Sequence, residues 1–123
     1  MRLPKGLILT NICFLLLISA YLYLRFQHQD TPLDLLKKAA KAGDVNAQND
    51  LGCYYLGSQN YDEAFKWMEK AALQGNASAQ TGVGICYYYG YGVKRNKNTG
   101  REWINKAAVM GDSYAKDVLK TLK

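Results

Sequence analysis

Three short segments constrain this chain more than any other feature: residues 38–44 (KAAKAGD), 70–76 (KAALQGN) and 106–112 (KAAVMGD) share one pattern. Their glycines stand at 43, 75 and 111, at intervals of 32 and 36 residues, the repeat length of stacked helix–turn–helix units. Each position has a physical reading. Two alanines bring a helix to its end without bulk. The glycine takes the left-handed conformation that closes it. Asp44, Asn76 or Asp112 then offers a side-chain oxygen to the free amides of the next helix. Asn76 also opens an Asn76-Ala77-Ser78 sequon, but the cap role explains it without a sugar.

After each glycine the apolar spacing predicts a first-type amphipathic helix, with Ala47, Leu51 and Tyr54 or Tyr55 in one copy and Ala79, Val83, Cys86 and Tyr87 in the next. A turn leads to a second-type helix holding Ala64, Trp67, Met68, Ala71 and Ala72, and again Gly100, Trp103, Ile104, Ala107 and Ala108. Small residues beside one large ring let antiparallel helices approach while the indole fills the gap. The ends are fragments of the same unit. Thr31, Pro32 and Asp34 open a lone second-type helix, and residues 113–122 form a lone first-type helix with Ala115 and Leu119 inward and Lys116, Lys120 and Lys123 outward. The expected fold is therefore all-α, a short solenoid over residues 32–123. Its marginal stability follows from a length of about two and a half units where three are usually needed.

The chain before the repeats reads differently. Residues 7–24 carry no charge and are dominated by Leu, Ile and Phe, just long enough to span a bilayer once. Arg2 and Lys5 precede them, and Tyr21 and Tyr23 stand where amphipathic rings favour the headgroup layer. This predicts a transmembrane signal anchor over 1–25, a linker over 26–31 and an extracytoplasmic repeat domain, periplasmic if the membrane is a bacterial inner membrane. Arg25 on the far flank makes the charge asymmetry modest. The competing reading is a cleaved signal peptide, with its apolar part at 7–18 and Ser19 and Ala20 before the cut, which would leave a secreted domain. Asn11 and Ile12 before Cys13 make no lipid-attachment motif.

Reactive chemistry is sparse. His28 is the one histidine in the sequence and lies on the flank of the apolar segment, so neither a histidine-based triad nor a zinc site is expected in the repeat domain. Gly90-Tyr91-Gly92 follows no strand pattern and reads as a helix-to-helix turn, not a phosphate loop. Asp62 and Glu63 sit at a helix start, where negative charge complements the helix dipole. Cys53 and Cys86 fall on equivalent helices at positions one residue out of register, leaving a bridge or two small buried hydrophobes as alternatives. No catalytic, cofactor-binding or metal-binding residue is expected, and an enzyme is not. The net charge of +6 gathers toward the C-terminal quarter, but no nucleic-acid motif accompanies it.

What remains is tyrosine. Tyr54, Tyr55, Tyr87, Tyr88, Tyr89 and Tyr91 cluster in and just after the first-type helices. Large, stiff, amphipathic rings on a groove are good contact residues. Tyr54, Tyr88 and Tyr89, with Lys94 and Arg95 nearby, are the expected protein-binding surface.

The second copy resembles the Sel1-like repeat, a relative of the tetratricopeptide repeat. Ala79, Gly84, Tyr87, Gly90, Gly92 and Val93, followed by Trp103, Lys106, Ala107, Ala108 and Gly111, stand where that family's pattern has them. The first copy keeps Ala47, Leu51, Gly52, Tyr55, Ala64, Trp67, Lys70, Ala71, Ala72 and Gly75 but has a turn four residues shorter, without Gly-x-Gly-Val. The resemblance implies a right-handed superhelix whose first-type helices line a concave, protein-binding face, with Tyr55 and Tyr87 as packing residues. It implies a scaffold or adaptor, or, as in some short relatives, an immunity partner of a secreted toxin. A small extracytoplasmic hydrolase is the remaining alternative.

Overall fold

The computed structural model describes residues 5–123; Arg2, part of the basic flank, lies outside the described residues. Among the described residues all regular structure is helical: α1 (Lys5–Gln27), α2 (Pro32–Lys41), α3 (Val45–Gly57), α4 (Tyr61–Leu73), α5 (Ala77–Tyr89), α6 (Lys97–Val109) and α7 (Ser113–Thr121). They fall into two compact units, one ending at Thr31 and the other Pro32–Lys123.

The first unit is α1. At 23 residues it is about 35 Å long, and its stretch Thr10–Gln27 is long and apolar enough to cross a membrane by length and composition. Every side chain of that stretch is exposed. The helix runs past Leu24 and takes in Arg25, Phe26 and Gln27.

The second unit is a solenoid. Each of α2 to α7 packs on the next, and turns of a few residues make neighbours antiparallel. The three recurring segments build the same joint three times. Gly43, Gly75 and Gly111 have φ of 99°, 91° and 99°. The amide of the following residue donates to the carbonyl five residues back (Asp44 to Ala39, Asn76 to Ala71, Asp112 to Ala107, each 3.1 Å), the bond that defines a Schellman stop. That residue's side chain then caps the next helix, accepting from the amides of Ala47 (2.9 Å), Ala79 (2.8 Å) and Ala115 (3.3 Å). Asn76 Nδ2 also donates to Asn46 Oδ1 at 3.3 Å, tying one joint to its neighbour.

Close helix approach depends on small residues, as the alanine and glycine pattern implied. A Cβ on Gly100 would stand 2.7 Å from the Gly84 carbonyl and 2.8 Å from the Tyr88 amide, so α5 and α6 meet backbone to backbone. Met68 lies between α3 and α5: its Cγ and Sδ would stand 2.5 and 2.6 Å from a Cβ on Gly52 and on Gly82. Leu51, Met68, Val83, Cys86 and Ile104 are fully buried. Cys86 is therefore a core residue, whose thiol burial pushes up to about 11, while Cys53 faces outward. The offset of one residue rotates the two thiols apart, and both are free.

Curvature follows from which helices touch. Helix α3 meets α5, and α5 meets α7, whereas α2, α4 and α6 do not meet one another among the described residues. The first-type helices are thus the closer-spaced, inner layer.

Candidate protein-interaction surface

Helix α5 shows how the inner layer divides its faces. Ala79, Val83 and Cys86 point back into the previous repeat. Gly84 meets α6, and Thr81 meets α7 by donating to Asp112 Oδ2 at 2.5 Å. The stripe left over holds Ser78 and Tyr89, with half-buried Ile85, which packs on the Ile104–Ala107–Ala115 core, between them. Its equivalents are Asn46 and Cys53 on α3 and Tyr114 on α7, all exposed. This inner stripe is small, weakly charged and carries its bulk in two tyrosines, Tyr89 at 53% and Tyr114 at 60% exposed.

Tyr89 belongs to a larger aromatic group. Its ring stacks on Tyr91 (centroids 5.6 Å, 24°), and Tyr91 stacks on Tyr61 of α4 (4.4 Å, 9°). Gly92 makes this possible. Its φ is 68°, and a Cβ there would overlap the Tyr61 carbonyl, so only glycine lets the α5–α6 turn lie against the start of α4. Lys94 and Arg95 follow on the exposed rim of that turn.

The tyrosines expected to bind a partner separate into three kinds. Tyr89 is on the inner stripe. Tyr54 is 47% exposed at the position equivalent to buried Cys86, so it faces the side where a preceding first-type helix would pack. Tyr88 is a correction: it is 5% exposed, its hydroxyl donates to the Lys123 carbonyl at 2.7 Å, and its ring lies under Lys97 (5.3 Å) and Arg101 (5.7 Å). The sequence places three tyrosines in a row, and a helix turns each by about 100°; the middle one points toward α6 and α7. Tyr87, read as packing, is half-buried edge-on to Phe65 at 5.5 Å, and Tyr55 packs beside Leu51 and Trp67. Tyr114 was missed. Its signal was present: Tyr114 is two residues past cap Asp112, as Ser78 is past Asn76 and Asn46 past Asp44.

A cleft lies outside the inner layer, where Glu102, Trp103 and Lys106 line a volume of about 300 Å³. The Lys106 ammonium sits 5.2 Å from the indole centre and closes the ring face to another cation. Among the described residues no three His, Cys, Asp or Glu side chains converge as metal ligands would.

The repeat joints agree with a known pattern. The Sel1 repeat matches residues 33–44, 45–76 and 77–112, so its units begin at Val45 and Ala77, the first residues of α3 and α5. The chain belongs to the Sel1 repeat family. A Sel1 repeat protein from Oxalobacter formigenes, solved by crystallography, superposes with a TM-score of 0.65 at 39% identity over 72% of this chain and 27% of that one. The chain thus spans about a quarter of the length of that protein. No curated protein matches it in sequence. Sel1 repeats are protein-interaction modules, which fits a stripe of exposed rings on an inner helical layer. Helix α7 lies beyond the matched residues and adds Tyr114 to that stripe.

Proposed function

We propose that the chain is a membrane-anchored adaptor: α1 crosses a bilayer once, and the inner stripe of α3, α5 and α7 takes a protein partner. One observation carries this reading. Tyr89 and Tyr114 stand outside the buried core, leaving rigid amphipathic rings largely exposed on the inner stripe, the composition of a contact hot spot. For α1 the support is an apolar helix with no buried side chain along Thr10–Gln27 and tyrosines near its far end. The repeat unit is then extracytoplasmic, periplasmic in a bacterial cell.

Replacing both rings with charge tests the stripe. The full chain carrying Tyr89→Glu and Tyr114→Glu should keep its helical circular dichroism and lose at least about tenfold in affinity for proteins captured by the wild type. Equal capture by both would refute the stripe as the binding face. The anchor is tested separately by alkaline extraction of membranes. Retention in the pellet with the N-terminal segment attached supports it; release, or a mature chain beginning just after Ala20, identifies a cleaved signal.

A further inference from the structure

The chain path fixes the edge of the solenoid at which its first helix begins. Helix α2 is of the second type, so its first residue, Pro32, lies at the end of the helices where α3 turns into α4 and α5 turns into α6. The Schellman joints at Gly43, Gly75 and Gly111 all lie at the opposite end. Pro32 therefore shares an edge with the turn of residues 90–96. Only residues 28–31 separate α1 from α2, a link that reaches at most roughly 17 Å.

That edge has a distinct chemistry. Lys94, Arg95 and Lys97 are exposed on the 90–96 turn and at the start of α6, and no carboxylate comes within ion-pair distance of them among the described residues. The same edge also carries acids, Asp34 at the start of α2 and Asp62 and Glu63 at the start of α4; Glu63 is engaged by Lys66 at 3.7 Å and by the Trp67 indole N–H at 3.1 Å, and the basic part of the edge is the 90–96 turn itself. Beside the cations stand the stacked rings of Tyr89 and Tyr91. Gly92, against the Tyr61 carbonyl, holds the turn in one shape. Basic side chains with no carboxylate partner beside amphipathic rings are the combination that favours the headgroup layer of an anionic bilayer: the cations gain from its negative surface potential, and the rings prefer its polar–apolar boundary.

We propose that this edge, formed by the 90–96 turn with Tyr89 and Lys97, lies against the membrane and binds anionic lipid headgroups. The proposal rests on α1 being a membrane anchor. It adds a lipid contact on the repeat unit's own 90–96 edge, at the end of its helices opposite the Schellman joints. Tyr89 then marks where the lipid-facing edge and the partner-facing stripe meet.

The test uses the full chain in lipid nanodiscs, one set of phosphatidylcholine alone and one with about 30 percent phosphatidylglycerol. Amide hydrogen exchange is read over residues 92–95, whose backbone amides make no turn hydrogen bond and so report solvent access. Exchange there should be slower by roughly tenfold in the anionic discs than in the neutral ones, and the triple variant Lys94→Glu, Arg95→Glu, Lys97→Glu should abolish the difference. All three residues are exposed, and unchanged helical circular dichroism will show that the fold persists. Equal exchange in both discs, with the protein co-eluting with each, overturns the lipid contact and leaves the anchor standing. Failure to co-elute with either disc overturns both. Protection brought about by soluble poly-glutamate, and not by anionic lipid, would overturn the proposal in favour of an acidic protein ligand.

Discussion

The two complete repeats, α3–α4 and α5–α6, have the same plan and solve it with different chemistry. In the first, side-chain hydrogen bonds finish the joints. Gln48 donates from Nε2 to the Ala40 carbonyl at 3.1 Å, and its Oε1 accepts from Gln74 at 2.7 Å; the Trp67 indole N–H is taken by Glu63. In the second, Gln80 makes the matching bond to the Ala72 carbonyl at 3.3 Å, but Met110 stands where Gln74 stood and the buried Gln80 Oε1 has no partner. Thr99 likewise replaces Glu63. What the second repeat has instead is approach: Gly84 against Gly100, and α7 closing over Tyr88. Polar ties and close packing are alternative ways of holding one joint, and each leaves a different weakness.

The largest expected effect strikes the packing solution. In isolation, alanine is a better helix former than glycine by about 1 kcal/mol, so Gly100→Ala would stabilise an open helix. Here the added carbon meets the Gly84 carbonyl and the Tyr88 amide, backbone atoms that cannot rotate away. A loss of roughly 2–3 kcal/mol is expected in urea denaturation, a large part of a small domain's stability. Gly52→Ala in the first repeat meets chiefly the Met68 side chain, which can swing aside, so its net effect should stay within about 1 kcal/mol. Equal losses at the two glycines would mean that the repeats do not differ in how closely their helices meet.

Next comes the missing polar tie. Met110 is the C-cap of α6 as Gln74 is of α4, and it is largely exposed, so little packing is lost by changing it. Met110→Gln should bring an amide donor to Gln80 Oε1 and raise stability by about 1 kcal/mol. The reverse change, Gln74→Met, should orphan Gln48 Oε1 and lower it by a similar amount. If Met110→Gln leaves the denaturation midpoint unmoved, the orphaned oxygen is not a weakness of the second repeat.

How much of this was legible in the sequence varies with the kind of interaction. The joints were, because a helix stop and its cap are local: Gly75 and Asn76 act on residues within five positions of themselves, and their pattern recurs. The second repeat's closeness was half legible, since Gly100 aligns with Ala64, but its backbone partner Gly84 could be named only from the family pattern. Long-range polar partners were not. Nothing local marks Gln48 and Gln74, 26 residues apart, as a pair, nor Tyr88 as the donor to Lys123. The inner stripe failed at Tyr88 for a related reason: three adjacent tyrosines look alike until the helices on either side decide which are covered.

The smallest expected effect is one of pH, and it contrasts the cysteines of the two repeats. Cys53 faces outward in the first, while Cys86 is enclosed in the second, where burial pushes its thiol up to about 11. In the unfolded chain the same thiol titrates at about 8.5. Between these values the unfolded chain releases a proton that the folded chain retains, so unfolding becomes easier as pH rises. The contribution of Cys86 is therefore fully present below about pH 8 and is lost as pH climbs through about 11. Other groups titrate in the same range, so the quantity to follow is the stability gap between the wild type and Cys86→Ala, each measured by urea denaturation from neutral to alkaline pH. The alanine variant is less stable throughout the neutral range because a cavity replaces the sulfur, and the gap should narrow steadily above pH 8. A Cys53→Ala variant should show a weaker trend, its thiol being raised by partial burial and by Asp50. A constant gap for Cys86 would mean that water reaches its thiol, and that the second repeat is less tightly closed than Gly84 against Gly100 requires.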